Sequence, residues 1–339
     1  MIRYVLRRVF TMAVTLLFIS LLIFIVIKLP PGDYITNQID ELRAQGETAS
    51  IAKAEQMRAQ FGLDKPVLYQ YGAWLGILPG HDGYSGLLQG NCGWSFEYGQ
   101  PVCSVVGSAI GLTIVVNLLV IIFIHLVSIP IAIYSATHKN SVGAHTVTFL
   151  GYIGLATPSF LLALALLYYL NRWFGISIGG LYDPKYANEA WSLNKLGSLL
   201  SHLVVPVMVI GLASTAGMIR RLRANLLDEL SKQYTVTAKA KGLPPGKALL
   251  KYPFRIAMNP FVADIGNLLP SVVSGSAIVS IVLSLPTIGP YLVQALKSQD
   301  QYLAGFILLF VAFLTVTGMF IADLALAVLD PRIRLGGGK

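Results

Sequence analysis

One short stretch of this sequence carries the residue types of a phosphate-binding loop, Gly242-Leu-Pro-Pro-Gly246-Lys247. A phosphate-binding P-loop needs four residues between its glycines and a Ser or Thr after its lysine. Here three residues separate the glycines, and Ala248 follows the lysine. The two prolines also remove backbone N–H groups that would hold phosphate. The stretch therefore predicts that the chain binds no ATP itself.

Motifs for other chemistry are missing from the sequence as well. It contains no HExxH or GxSxG motif and no Cys/His spacing typical of a metal site. His125 and His202 are single histidines in or beside apolar runs, where a hydrogen-bonded core residue is commoner than a ligand. We therefore expect a non-catalytic chain that holds neither a metal nor a cofactor.

The two cysteines, Cys92 and Cys103, leave a redox question open. Two cysteines alone provide too few ligands for a structural zinc site. Both lie in a segment that we place outside the cell membrane, where an oxidising compartment permits a disulfide. The sequence is compatible with that disulfide and with two free thiols near the membrane surface.

The composition indicates a membrane protein. The chain is 55% hydrophobic and 12% charged, with mean hydropathy +0.67, whereas an average soluble domain is about 25% charged. Apolar runs near 20 residues cross a hydrocarbon core as helices. The first run is too long for a signal peptide and is followed by KLPPGD, so we expect it to be retained. We predict an all-α integral membrane protein with six transmembrane helices, near 9–29, 106–136, 143–170, 199–218, 261–285 and 302–329.

The distribution of Lys and Arg sets the predicted orientation. Basic residues concentrate in the N-terminus, in the loop between the fourth and fifth runs and in the C-terminal tail, so both termini are expected to be cytoplasmic. The net charge of +9 follows from this topology and favours contact with anionic membrane lipid rather than nucleic acid. The predicted organisation is a first transmembrane helix at 1–29, a periplasmic segment at 30–103, a five-helix core at 104–329 with a cytoplasmic loop at 219–260, and a cytoplasmic tail at 330–339.

The periplasmic segment is polar and helix-forming in its first half, residues 33–63. Such a segment is either a solvated cap on the spans or a docking surface for an external protein, and the sequence does not separate the two.

Polar residues within the fifth run form two stripes at helical spacing. Small polar residues in membrane helices serve helix packing, and one stripe is a candidate lining for an aqueous pathway. Asp264 and Asp323 lie near the cytoplasmic ends of their runs, where a structural partner such as a cytoplasmic arginine is expected. Pro130, Pro158 and Pro270 are expected to kink their helices. The candidate pathway stripe is Asn267, Ser271 and Ser274, and the opposite stripe is Ser276, Ser280 and Ser284.

The loop at residues 220–255 carries nine Lys/Arg against two acids. Residues 225–241 favour a short helix outside the membrane, which Gly242 can end in the left-handed conformation. Two prolines then suit the first turn of a second helix, with residues 248–250 as its apolar side. A short projecting helix of this kind fits a groove in a soluble partner, or else lies on the lipid surface.

Five ordered stretches then resemble a known family. The segment TAKAKGLPPGKALLKYPFRIAMNP at 237–260 resembles the EAA loop of membrane subunits of binding-protein-dependent ABC importers, although only Ala238 and Gly242 match the EAA motif well. Residues 34–60 are longer than is typical there, and the cysteines occupy positions not typically Cys. The other stretches resemble the first permease subunit of the dipeptide/oligopeptide class: RRVFTMAVTLLFISLLIFIVIKLPPGD (7–33), FGLDKPVLYQYGAWL (61–75), GNCGWSFEYGQPV (90–102) and LDPRIR (329–334).

The resemblance implies a type I ABC importer permease of the bacterial inner membrane. It implies a second homologous permease subunit, two ABC ATPase subunits that bind ATP and Mg, and a periplasmic substrate-binding protein as partners. The cytoplasmic loop would contain the helix that couples to the ATPases. The implied coupling residues are Thr237, Ala238, Lys239, Ala240, Lys241, Gly242 and Leu243.

Several functions remain open at this stage. Relatives of this class carry peptides most often, but others carry oligosaccharides, opines or nickel. A stand-alone secondary transporter or channel is the main alternative, and it predicts charge pairs or broken helices at a midplane site. An intramembrane enzyme would need a catalytic dyad at membrane depth, and none stands out in the sequence.

Overall fold

The computed structural model describes residues 2–46 and 48–329. The predicted tail at 330–339, and with it all but the first residue of the LDPRIR stretch, lies outside the described residues.

Helices dominate the described chain, as predicted. A two-stranded antiparallel hairpin pairs Trp94 with Pro101 and Ser95 with Gln100. The strands are β1 (Trp94–Ser95) and β2 (Gln100–Pro101), and single 3-10 turns occur at Leu87–Gln89 and Pro184–Tyr186. The helices are α1 (Ile2–Ile27), α2 (Tyr34–Gln45), α3 (Thr48–Gln60), α4 (Val67–Leu75), α5 (Val102–Thr137), α6 (Val142–Ala156), α7 (Ser159–Phe174), α8 (Leu193–Leu230), α9 (Gln233–Ala240), α10 (Pro245–Lys251), α11 (Pro253–Ala263), α12 (Ile265–Val282), α13 (Ile288–Ser298) and α14 (Gln301–Leu329).

Five of these helices, α1, α5, α8, α12 and α14, are long and apolar enough to cross a membrane. The α6–α7 pair passes the same test jointly, so the described chain has six candidate spans when that pair counts as one. The six-span prediction is therefore confirmed in number.

The third predicted span, 143–170, is wrong as a single helix with a kink. It consists of α6 and α7, which meet at an angle of 98°. Pro158 lacks the N–H that would continue the helix, and its ring forces the preceding residue out of the helical region. Thr157 accordingly has an extended backbone, with φ −87° and ψ 119°. Pro130 and Pro270, by contrast, lie inside α5 and α12, which continue through them.

The fourth span extends further than the hydrophobic run at 199–218 predicted. Helix α8 has 38 residues and continues to Leu230, so residues 225–230 belong to it rather than to a separate short helix. Leu222 and Leu226, one turn apart, are both fully buried and carry the apolar face of α8 into the basic loop. The extension was not predicted from hydropathy because charged residues alternate with these leucines and lower the mean hydropathy of the stretch.

The predicted helical first half of the segment at 30–103 is confirmed by α2 and α3. Asp33 caps α2 by accepting hydrogen bonds from the backbone N and Oγ1 of Thr36, at 2.7 and 2.8 Å. Ile35, Ile39 and Phe96 pack together in the apolar cluster beneath the two helices. This cluster gives the segment a hydrophobic core of its own.

The described chain divides into two compact units. The loop unit comprises residues 2–9, 113–286 and 314–329, and within it α8 packs against α6, α7, α11 and α12. The disulfide unit comprises residues 10–112 and 287–313, with a second apolar cluster around Phe24, Trp74 and Leu75. The loop unit contains the predicted coupling residues and the candidate pathway stripe, and the disulfide unit contains Cys92 and Cys103.

Candidate functional site

The predicted coupling segment forms a helix–turn–helix at the end of α8. Helix α8 ends at Leu230, α9 begins two residues after Ser231, and Pro244 and Pro245 start α10. All seven predicted coupling residues, 237–243, therefore lie in α9 or in the turn that follows it.

Helix α9 is fastened to the end of α8 through Glu229. The backbone carbonyl of Glu229 accepts a hydrogen bond from Thr235 Oγ1 at 3.0 Å, and its carboxylate accepts a short hydrogen bond from the hydroxyl of Tyr234. Burial, together with this hydrogen bond, raises the pKa of Tyr234 to about 12. This contact was not predicted, because residues 225–241 were expected to form one continuous helix.

The two faces of α9 differ in exposure. Thr235 and Ala238, three residues apart, are buried against the loop unit. The opposite face is exposed and includes Val236, which is 55% exposed. Among the predicted coupling residues, Ala238 is thus an anchor and Leu243 is half-buried, whereas five are exposed: Thr237, Lys239, Ala240, Lys241 and Gly242.

Gly242 ends α9 in the left-handed conformation, as predicted, with φ +81°. Its N–H donates to the carbonyl of Lys239 at 2.9 Å, and the N–H of Leu243 donates to the carbonyl of Ala238 at 3.2 Å. Glycine adopts this conformation without the strain that a Cβ introduces. The turn fixes the direction in which the chain leaves α9.

Helices α9 and α10 and the turn between them (residues 233–251) form one module, and α10 differs in one respect from the prediction. Ala248 is fully buried and Leu249 is half-buried, but Leu250 is 57% exposed and does not join the apolar side. A seven-residue helix has room for only one buried stripe, and Ala248 occupies it. Leu250 adds an apolar side chain to the exposed surface of the module.

Both carboxylates at the ends of the spans have arginine partners, as expected from the sequence. Arg221 on α8 contacts Asp264 at 2.5 Å, and Arg8 on α1 contacts Asp323 on α14 at 2.8 Å. Asp264 stands between α11 and α12, so the first pair joins α8 to that junction. A third arginine, Arg223, donates from Nε to the carbonyl of Ser135 at 3.3 Å. Arg221 and Arg223 thus connect α8 to the α11–α12 junction and to α5, while Arg8 connects α1 to α14.

The candidate pathway stripe lies on one exposed face of α12. Asn267, Ser271 and Ser274 are all exposed, and Nδ2 of Asn267 donates to Asp264 Oδ1 at 3.2 Å. On the opposite stripe, Ser276 and Ser280 are buried within the loop unit, whereas Ser284 is exposed and lies beyond the end of α12. The structure thus separates the two stripes and leaves the first one as the polar face of this helix.

Of the two histidines singled out in the sequence, His202 is buried and His125 is half-buried. His125 Nδ1 lies 2.7 Å from the carbonyl of Ile121, and its ring meets Phe261 edge-on at 4.8 Å. His202 Nδ1 lies 2.9 Å from the carbonyl of Ser198. Among the described residues no group of three His, Cys, Asp or Glu has metal-binding geometry.

The disulfide unit contains the second predicted feature. Cys92 and Cys103 are joined in a disulfide, with their Cα atoms 5.7 Å apart. The loop that they close holds the β-hairpin. Ser95 of this hairpin donates from Oγ to Asp300 Oδ2 at 2.6 Å, and the N–H of Glu97 donates to the same oxygen at 3.1 Å.

Asp300 is a buried carboxylate that the sequence analysis did not single out. It also accepts the N–H of Leu303 at 3.2 Å and so caps α14. Burial raises the pKa of Asp300, while four hydrogen-bond donors work in the opposite direction: the side chain of Ser95 and the backbone N–H groups of Glu97, Leu303 and Phe96. A signal existed in the sequence, because an acid directly before a long apolar helix is typical of a cap.

Comparison with known proteins places the chain among transport proteins. The family described as binding-protein-dependent transport system inner membrane component matches residues 128–335, and its N-terminal companion matches residues 1–127. The chain is 31% identical to the oligopeptide transport system permease protein AppB of Bacillus subtilis (strain 168), over 98% of this chain and 99% of the relative. It is 26% identical to the dipeptide transport system permease protein DppB of the same organism, over 99% of each chain. A third relative, the oligopeptide transport system permease protein OppB of Mycobacterium bovis, is 27% identical over 99% of this chain.

Proposed function

This chain belongs to the family of inner membrane components of binding-protein-dependent transport systems. From that membership and from its relatives we propose that its cargo is short peptides and that ATPase subunits drive it through α9. It is a multi-pass protein of the inner membrane and a permease subunit. The proposed partners are a second permease of the same kind, two ATPases that bind ATP and Mg, and a binding protein that delivers the peptide.

The observation that carries the coupling proposal is the division of α9 into a fastened face and a free face. Thr235 and Ala238 are buried while Val236 is exposed, so a partner can grip the helix without competing with its anchors. The exposed residues are basic, small or apolar, a composition suited to a groove in a soluble protein. Partner binding to that face is proposed to make α9 move with the partner as a rigid body.

A movement of α9 would pass directly to the membrane-spanning helix α8. The Glu229 contacts fix α9 to the end of α8. Arg221, eight residues before Glu229 on α8, transmits the displacement to the α11–α12 junction through Asp264. The candidate stripe on α12 starts at Asn267, which contacts the same carboxylate. An ATPase state that binds α9 differently would thereby bias one of two arrangements of the helices.

Support for the peptide cargo comes from the relatives. The relatives reported above carry the words oligopeptide or dipeptide in their names and align with this chain along nearly its whole length. The exposed stripe on α12 has neutral polar groups, which suit the passage of a polar solute.

The test is ATPase activity of the reconstituted transporter with binding proteins loaded with a peptide, an oligosaccharide, an opine or nickel. Stimulation by the peptide-loaded protein alone supports the proposed cargo, and stimulation by another loaded protein replaces it. If no loaded binding protein stimulates ATPase activity, although the complex is assembled and the ATPases are competent, the result favours a stand-alone transporter.

A pair of matched variants tests the role of α9. Val236→Glu places a charge on the exposed face of α9 and should abolish stimulation without affecting membrane insertion. Val142→Glu is the control, because Val142 is an exposed apolar residue of the same unit, 83% exposed, outside the module. Equal stimulation of the two variants would contradict the assignment of α9.

A further inference from the structure

The disulfide unit contains an open cleft of about 650 Å³ that plays no part in the coupling mechanism. This volume lies within the range of about 300–1,000 Å³ typical of small-molecule sites. All of its lining residues belong to the disulfide unit. A smaller cavity of about 150 Å³ shares Phe61, His81 and Tyr302 with the cleft and provides a side pocket.

The cleft has an aromatic interior. Trp74 is 3% exposed, and Phe61, Trp94 and Tyr302 are half-buried. Phe61 lies 6.5 Å from Trp94 between ring centroids, which places two aromatic faces along the same wall. Aromatic rings of this kind provide large apolar contact area for a ligand side chain.

The rim of the cleft is polar and carries both signs of charge. Lys53 and Gln60 are exposed on the face of α3 that lines the cleft. Across a tight turn, closed by paired hydrogen bonds between Gly80 and Gly83 at 2.7 and 3.3 Å, the chain presents His81 and Asp82. Gln60 Nε2 lies 3.1 Å from His81 Nε2, which connects the helix to this turn.

We propose that this cleft binds a short zwitterionic peptide with an apolar or aromatic side chain, at residues other than those of the candidate pathway stripe. The ammonium group of the peptide contacts Asp82, its carboxylate contacts Lys53, and its side chain rests on the aromatic interior. The proposal rests on the proposed peptide cargo and adds a second place at which the chain itself recognises that cargo.

The charges distinguish a peptide from a sugar, which would use the same aromatic rings. A neutral disaccharide makes no use of a lysine and an aspartate on the cleft lining, whereas a zwitterion has a charge for each of them. An analogue with both termini blocked keeps the side chain but loses both charge contacts. It therefore separates charge recognition from simple apolar binding.

The experiment measures binding to the full chain in nanodiscs, without a binding protein. A Trp173→Phe, Trp191→Phe background leaves Trp74 and Trp94 as the indole reporters of the chain. Both replaced residues are exposed, at 67% and 71%, and lie outside the cleft. The probes are the dipeptide Ala-Phe, its N-acetyl amide and maltose, each followed by tryptophan fluorescence.

We expect saturable quenching by Ala-Phe and at least about tenfold weaker binding of the blocked analogue, the factor that one lost charge contact typically produces. Asp82→Asn and Lys53→Gln should each weaken Ala-Phe binding by about tenfold. The matched controls Asp40→Asn and Lys297→Gln change exposed residues of the same unit that do not line the cleft, and they should bind as the parent does.

No quenching by Ala-Phe, equal binding by the cleft variants and the controls, or binding of maltose alone would overturn the proposal. The proposed function is judged separately, from peptide-stimulated ATPase activity of the assembled transporter. A cleft that binds no peptide in a transporter that is stimulated by peptide refutes only the cleft. A transporter stimulated only by an oligosaccharide refutes the cargo, whatever the cleft binds.

Discussion

Replacement of Gly242 tests whether the turn after α9 carries the coupling geometry. Its φ of +81° lies in the left-handed region, where an L-residue with a Cβ costs about 1–2 kcal/mol. A Cβ built on Gly242 meets no atom within 4 Å, so the cost is conformational and involves no clash. A penalty of that size lowers the population of the native turn relative to alternatives by roughly 5–30-fold.

The side chain that is introduced should set the size of the effect. Asparagine tolerates the left-handed region, alanine tolerates it less, and a β-branched valine is a genuine outlier there. Peptide-stimulated ATPase activity should therefore fall in the order Gly, Gly242→Asn, Gly242→Ala, Gly242→Val. Membrane insertion should stay normal, since no packed atom is displaced.

The matched control is Gly246→Ala. Gly246 lies in α10, in the same exposed module, and a Cβ there also meets no atom within 4 Å, but its backbone is not left-handed. This variant should retain full stimulation because alanine suits a helix better than glycine. If Gly242→Ala and Gly246→Ala behaved alike, or if Gly242→Val kept normal stimulation, the argument from the turn would be refuted.

Three further predictions concern stability. Arg221→Met should destabilise the chain by about 1–3 kcal/mol, because it leaves the Asp264 carboxylate without its charged donor, and adding Asp264→Asn should restore part of the loss in thermal melts. Replacement of Cys92 and Cys103 by serine should lower the stability of the disulfide unit by roughly 2–3 kcal/mol, as measured by protease resistance. Addition of a thiol reductant should lower the protease resistance of the parent chain but not that of the serine variant. Because burial raises the pKa of Asp300, this carboxyl group stays protonated in the native state at pH values at which it is ionised in the unfolded chain. Stability should therefore fall as pH rises from the usual carboxyl pKa of 3.8 through the native value, and pH-dependent melts of Asp300→Asn should lack this slope.

Much of the fold could be predicted because its signals are local. The hydropathy of the spans and the left-handed glycine after α9 follow from short-range physics. That Asp264 and Asp323 need a charged partner follows from the cost of an ionised group at a span end, although the sequence does not say which arginine provides it. The break at Pro158 was foreseeable only as a kink, because its 98° angle depends on how α6 and α7 pack against α8. Its size is a tertiary effect.

The parts of the site that escaped prediction depend on contacts between distant residues. Asp300 and Ser95 are 205 positions apart and meet only in the folded disulfide unit. The aromatic cleft likewise joins Phe61 and Trp94 to Tyr302 from the start of α14. Periodicity reports which face of one helix is apolar, but it does not report which distant segment covers that face. The Glu229 contact was closer in sequence and was obscured by the assumption that α9 began at residue 225.

The pairing of the span carboxylates bears on the source of energy for transport. A secondary transporter couples substrate movement to a proton or ion through ionisable groups near the membrane midplane. In the described chain, Asp264 and Asp323 are instead each paired with an arginine, at the helix ends. A paired carboxylate at a span end fixes helices together and is poorly placed to relay a proton across the bilayer. The stripe beyond it, at Asn267, Ser271 and Ser274, has side chains that do not ionise in water. The two ion pairs thus argue against a chain that extracts work from an ion gradient, and they are compatible with the proposed drive through α9.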